Sequence, residues 1–259
     1  MIDVIVIGLG VYGLALVREL AEAGRAVVGL EQFCPDHDRG SSHGETRIFR
    51  FTTLESDAYV PLAREADAIW ESLQRSSGIT LKAHTGLAVI AEPGTARQRH
   101  HGKADILTRA SALARRESIP FSVVDGATLQ SRYPDIACSD RANVFIEDSA
   151  YVLASDRCLQ VLRAASVQAG ADLQYNVEAT GWTSNHSSAT VSTSDGRVLH
   201  AKRLIFSLGP YLQEQLPHLA DQLTVRPQAV QWRESPPDVA LLPFISTTPE
   251  VTTQLLLGV

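Results

Sequence analysis

The sequence predicts an α/β fold, α+β overall. A Rossmann-like domain is expected, split in sequence, with a mixed-sheet domain inserted into it. Three observations predict this. The first 31 residues read as strand, glycine turn, helix, strand and acid. A helix and a strand of similar character return at 155–177, and a strand–glycine stretch closes the series at 204–209. Between them, residues 84–145 carry a mixed pattern that does not continue the parallel order. The expected division is 1–83 with 146–218, and 84–145 with 219–259.

Each element has a local reason. Residues 2–7 are a short apolar run rich in β-branched side chains, as in a strand buried on both faces. Gly8-Leu9-Gly10-Val11-Tyr12-Gly13 follows, then helical spacing over 14–23 with Gly24 as a stop. The next strand is 27–31, and the three pieces make one β-α-β unit. Residues 61–73 place Leu62, Ala66, Ile69, Trp70 and Leu73 on one helical face. A strand is expected at 87–91, a helix within 95–116, and short strands at 121–124 and 144–146. Ser155 is a fitting N-cap for a helix over 156–169, with Gly170 at its C-terminal end. Residues 173–177 read as a strand. Asp195-Gly196, between 189–193 and 197–201, signals a hairpin. Residues 224–232 read as a further strand of the inserted domain.

Composition narrows the function classes. The net charge is −6 and no basic run stands out, so nucleic acid is not an expected partner. Cys34, Cys138 and Cys158 are odd in number and far apart, which suggests neither a zinc site nor a disulfide framework. His100 and His101 read as a solvated face rather than metal ligands. No run approaches the roughly 18 apolar residues of a membrane span. The N-terminus has no basic region before its apolar run and is broken by three glycines, unlike a signal peptide. The cytoplasm is the expected compartment.

Gly8, Gly10 and Gly13 form a G-x-G-x-x-G fingerprint in its required setting, after a strand and into a helix. The first glycine permits the turn, the second lets a pyrophosphate approach the backbone, and the third lets helix and strand pack closely. The helix N-terminus offers free N–H groups to the phosphates. Glu31, at the end of the second strand, can accept from ribose hydroxyls and disfavours a 2′-phosphate. Nicotinamide and flavin dinucleotides share this fingerprint. The late strand–glycine stretch ending at Gly209 looks like the FAD architecture of the glutathione-reductase type.

The segment GSSHGETRIFR (40–50) holds two glycines, Ser41, Ser42, His43, Thr46, Arg47 and Arg50. Such a loop can lie against a flat cofactor and aim positive charge at an anion. Arg47 and Arg50 lie three apart, so a helical turn would put both guanidiniums on one face. Their forked donors match the two oxygens of a carboxylate. The alternative is a structural role, with the arginines paired to Glu45 or Glu55.

With its flanking residues, HDRGSSHGETRIFR resembles the flavin-contacting segment of the monomeric sarcosine oxidase and N-methyltryptophan oxidase family of amine oxidases. The resemblance implies FAD as cofactor, and a secondary amine such as an N-methyl amino acid as substrate. It implies oxygen as acceptor, with an imine and hydrogen peroxide as products. Arg50 matches the arginine that holds the substrate carboxylate, and His43 and Arg47 match the pair placed near the flavin ring. Gln32, Ser41, Ser42, Val177 and Gly209 join the glycines, Glu31, His43 and Arg47 as candidate cofactor-binding residues. Asp148, Tyr151 and Asp156 could line a cleft, although a helix start explains Asp156 equally well. Family members continue past residue 259, where the resemblance places a flavin-linking cysteine and a lysine tied to oxygen activation. Cys34 is thus not the expected linking residue. A partner chain or oligomer completing the inserted domain is one expectation. A flavin-binding chain without turnover, or a nicotinamide-dependent dehydrogenase, are the alternatives.

Overall fold

The structure is a computed structural model that describes residues 1–93, 106–226 and 242–246. In chain order the elements begin β1 (Ile2–Ile7), α1 (Val11–Glu22), β2 (Val27–Glu31), β3 (Thr46–Phe49), α2 (Tyr59–Ser77), β4 (Lys82–His84), β5 (Leu87–Ala91) and α3 (Ile106–Arg116). They continue with β6 (Phe121–Asp125), α4 (Gly126–Arg132), β7 (Asn143–Glu147), β8 (Tyr151–Ala154), α5 (Ser155–Gln168) and β9 (Asp172–Tyr175). The series closes with β10 (Ala179–Ser184), β11 (Ala189–Thr193), β12 (Val198–Phe206) and β13 (Phe244–Ser246). The expected residues 95–105, His100 and His101 among them, most of the expected strand 224–232, and the terminal stretch 247–259 lie outside the described residues.

The chain divides into two compact units. The first comprises Met1–Thr46, Leu73–Leu81 and Ala154–Gln228. The second comprises Arg47–Ser72, Lys82–Leu153 and Ala229–Val259. The expected boundaries at 83 and 146 differ from this division. The second unit contains a three-stranded sheet ordered β3-β8-β4, and its pairing draws 47–49, 82–84 and 151–153 together.

The first unit is built on a six-stranded sheet ordered β10-β11-β12-β1-β2-β9. β1 runs parallel to both neighbours, with Ile5 opposite Leu204 on β12 and Val28 on β2. Such a strand has no solvent face, which is why its sequence is nearly all apolar. Ile5, Ile7, Val28, Leu30, Val191 and Ala201 form the core under this sheet. The hairpin signal is realised with Gly196 at φ 84, but the two strand runs expected after it are one strand, β12. Its first half pairs antiparallel with β11 and its second half parallel with β1. Lys202 and Arg203 hide this continuity in sequence. Both are exposed, and Lys202 Nζ meets Asp3 at 2.6 Å. The N-cap of α5 is Ala154 rather than Ser155, whose hydroxyl has no protein partner among the described residues.

The second unit also holds a sheet ordered β13-β5-β7-β6. Period-two alternation along β5 and β7 sends side chains to two cores. Val89 and Phe145 pack with Ile106, Ala110 and Leu113 of α3. Ala88, Ile90, Val144 and Ile146 pack with Leu129, Leu242 and Phe244.

Candidate functional site

In the first unit, β1 passes into α1 through Gly8, Leu9 and Gly10. Gly8 has φ 95, and a Cβ there would stand 2.4 Å from the Ser207 carbonyl oxygen. A Cβ on Gly13 would stand 1.9 Å from the Gly8 carbonyl oxygen, so α1 rests directly on the turn. Gly10 differs. It is the N-cap of α1 with φ −68, and a Cβ there would meet only the Ser42 side chain, its hydroxyl at 3.0 Å. The protein closes on Gly8 and Gly13 and leaves the space at Gly10 open. α1 has no capping side chain of its own and no acid in its first turn. The Val11 N–H donates to the Ser42 hydroxyl at 3.1 Å. A helix N-terminus whose only side-chain partner among the described residues is one neutral hydroxyl, with open space at Gly10, fits a diphosphate.

Glu31 is buried at the end of β2. Its Oε2 accepts from the Leu9 N–H at 2.9 Å and its Oε1 from the Phe33 N–H at 3.2 Å. A carboxylate has about four acceptor positions, so two remain for ribose hydroxyls. Gln32 follows, half-buried. Val177 donates its N–H to the Glu31 carbonyl at 2.9 Å, which sets it beside the acid. Ser207 donates its N–H to the Ile7 carbonyl at 2.8 Å, bringing the end of β12 to the turn. Gly209 has φ 51, with open space where a Cβ would stand. Burial raises the Tyr175 phenol above its ordinary range, and the nearby Arg163 opposes this in part.

Ser41 is exposed, and His43 is half-buried. The His43 Nδ1 bonds the Gly40 carbonyl. A carbonyl only accepts, so Nδ1 carries the hydrogen in that bond. The helical turn expected over Arg47 and Arg50 is not formed: residues 46–49 are a strand. In extended chain, residues three apart face opposite sides. Arg47 is exposed while Arg50 is turned inward, with its side chain 18% exposed. Arg50 Nη2 meets Glu55 Oε1 at 2.5 Å, and its buried Nη1 has no protein hydrogen-bond partner among the described residues. A buried guanidinium N–H with no partner is costly to leave unmade, and an anionic oxygen is the acceptor it suits best.

Sequence reasoning missed Glu147. Its side chain is fully buried in β7 and accepts from the N–H groups of Phe51 and Thr52 at 2.7 and 2.9 Å. It therefore fixes the chain immediately after Arg50. Tyr151 is buried, stacks on Phe49 at 4.6 Å, and donates to Asp67 at 2.9 Å. Lys82 bridges Asp67 and Glu71 at 2.6 and 3.1 Å beneath that ring. Tyr151 is thus part of a packed polar cluster. Asp148 and Asp156 are exposed, the latter in the first turn of α5. Cys34 is exposed. Among the described residues no group of acids, histidines or cysteines could hold a metal ion, and no helix is long and apolar enough to cross a membrane.

A sequence profile described as FAD dependent oxidoreductase matches residues 3–253. The chain belongs to that family. FAD is the cofactor of the FAD dependent oxidoreductases, and the open turn at Gly10 fits its diphosphate. A monomeric sarcosine oxidase from Streptomyces avermitilis is 29% identical over 232 residues, covering 89% of this chain and 57% of that protein. An N-methyl-L-tryptophan oxidase from Yersinia pestis is 27% identical over 217 residues, covering 84% of this chain and 56% of that protein. The chain thus spans under two thirds of the length of these relatives. Among solved structures, glycine oxidase from Geobacillus kaustophilus superposes with a TM-score of 0.73 at 19% identity, covering 94% of this chain and 65% of that one. That likeness establishes the shared fold.

Proposed function

We propose that this protein oxidises the C–N bond of a small secondary amine bearing a carboxylate, such as an N-methyl amino acid. Molecular oxygen is the final acceptor, and the products are an imine, which water hydrolyses, and hydrogen peroxide. One observation carries this reading. Arg50 is turned inward, with Nη2 held by Glu55 and a buried Nη1 that has no protein hydrogen-bond partner among the described residues. Names of the sequence relatives, a sarcosine oxidase and an N-methyltryptophan oxidase, support the substrate class.

In this reading the turn at Gly8, Gly10 and Gly13, with Ser41 and Ser42, holds the diphosphate of FAD. Glu31, Gln32, Val177 and Gly209 hold its adenosine side, and His43 and Arg47 serve its ring end. When bound, FAD supplies a two-electron acceptor. Arg50 binds the substrate carboxylate and so fixes which C–H bond is presented. Glu147 keeps Arg50 in register by gripping the next two amides. The test is reconstitution of the full chain with FAD, followed by peroxide measurement with sarcosine, N-methyltryptophan and glycine. Protein that takes up no yellow chromophore, even when refolded with FAD, would refute the reading at its root. FAD uptake with no turnover of any secondary amine would refute the substrate assignment alone.

A further inference from the structure

The loop that follows β2 is more ordered than a connection needs to be. His37 Nδ1 accepts the Arg39 N–H at 3.1 Å, which leaves the ring hydrogen of the neutral form on Nε2. That Nε2 faces Glu31 Oε1 at 3.7 Å, with the two side chains only 19% and 8% exposed. This is slightly beyond hydrogen-bond reach, close enough for a strong electrostatic effect. The ring is held from behind by Phe33, at 4.9 Å between centroids. Phe33 packs against Tyr211 at 5.8 Å and lies under the Arg39 guanidinium at 5.7 Å. The Tyr211 hydroxyl donates to the Arg39 carbonyl at 3.0 Å and closes the loop on itself.

Charge accounting shows what this order serves. Two carboxylates, Glu31 and Asp36, stand near the Tyr175 hydroxyl, and both act on it electrostatically. The neighbouring guanidinium, Arg163, grips Asp36 with both nitrogens at 2.8 and 3.0 Å. Its fork is thereby committed to Asp36. For Glu31, the described side chain with a donor facing it is His37. Each Glu31 oxygen already accepts one backbone N–H, and the imidazole beside Oε1 biases how the carboxylate is turned.

We propose that His37 is a positioning residue for cofactor binding, acting through Glu31. It orients the carboxylate that receives the ribose hydroxyls. This rests on the reading of Glu31 as the ribose acceptor. The imidazole itself touches no cofactor atom in this scheme.

The experiment is a binding cycle on the full chain, with FAD affinity read by fluorescence titration and folding checked by thermal melting. His37→Ala should weaken FAD by roughly 2- to 5-fold, the scale of a weak ion-pair contact. His37→Gln places an amide N–H where Nε2–H was and should restore most of the affinity. His37→Asn preserves only the acceptor for the Arg39 N–H and should not. In a Glu31→Ala background, His37→Ala should cause no further loss, because its effect passes through the carboxylate. Losses that add in the double variant, or a His37→Gln chain as weak as His37→Ala, would overturn the proposal while leaving Glu31 as ribose acceptor. A Glu31→Ala chain that binds FAD as tightly as the unaltered chain refutes the ribose reading itself, and the proposal with it.

Discussion

Replacing Gly10 with valine should separate cofactor binding from folding, and Gly13→Ala should do the reverse. Gly10 has φ −68 and ψ −173, which any L residue adopts, and a Cβ there meets only the tip of Ser42 at 3.0 Å. A hydroxyl on a rotatable side chain can move aside. The folding cost is then the loss of a tolerated N-cap residue, on the order of 1 kcal/mol. At this chain length that is a fall of about 2–4 °C in melting temperature. The same side chain fills the space proposed for the diphosphate. Loss of charge-assisted hydrogen bonds at a helix N-terminus costs about 1.5–3 kcal/mol, or roughly 10- to 150-fold in affinity. Water cannot relieve a steric block, so the upper end is expected. Gly13→Ala drives a methyl to 1.9 Å from the Gly8 backbone oxygen, where no side chain can yield. Overpacking of about 1–3 kcal/mol or more should outweigh the roughly 1 kcal/mol that alanine gains in a helix. The assay pairs thermal melting of the apoprotein with fluorescence titration of FAD. A Gly10→Val chain that keeps stoichiometric FAD would mean the phosphate loop lies elsewhere. A Gly10→Val chain that melts lower than Gly13→Ala would refute the steric argument.

Three further outcomes follow from named contacts. Arg50→Ala should weaken binding of a carboxylate inhibitor by roughly 10- to 150-fold, while Glu55→Gln, which frees Nη2, should strengthen it several-fold; equal losses for an uncharged amine in inhibition assays would rule out the assignment. Glu147→Gln should destabilise the second unit by about 1.5–3 kcal/mol in denaturant melts, because one of the two amides of Phe51 and Thr52 then faces an N–H₂ group instead of an oxygen; a shift below the error of the melt would refute its anchoring role. Burial pushes the Cys158 thiol up to about 12 from its ordinary 9.0. Stability from this protonated thiol is full below pH 9 and is lost as pH rises towards 12, and mass spectrometry of thiol-labelled native protein should find Cys34 modified well before Cys158.

Much of the fold was legible where burial leaves a pattern. β1 and β2 are buried on both faces and read as apolar runs, and Gly8 and Gly13 sit where backbone or packing requires them. The mixed sheet was legible in part, since β5 and β7 are continuous buried runs. Short elements were not. β3 is four residues with a charge in second place, too few to show a period. β8 follows a turn without an apolar flank, and α4 covers only seven residues. β12 was split because Lys202 and Arg203 interrupt its apolar pattern on an exposed stretch.

The site was legible as chemistry and less so as geometry. Glycine, serine, histidine and arginine types announce a cofactor and an anion, but spacing cannot say whether Arg47 and Arg50 share a face. A helical period would join them; here the strand stops at Phe49, with Arg47 exposed on it and Arg50, just past its end, turned inward. This changes the mechanism rather than a detail of it. Two guanidiniums on one face would clamp a carboxylate jointly, and losing either would cost similar affinity. Because the two differ in exposure, replacing each separately tests whether they act jointly. Glu147 decides the matter from a distance of 96 residues in sequence, by fixing the backbone at Phe51 and Thr52. An acid in a run of apolar strand residues gives no sign of such a role, because glutamate is ordinarily a surface residue. It becomes intelligible only once two backbone N–H groups are found pointing at it.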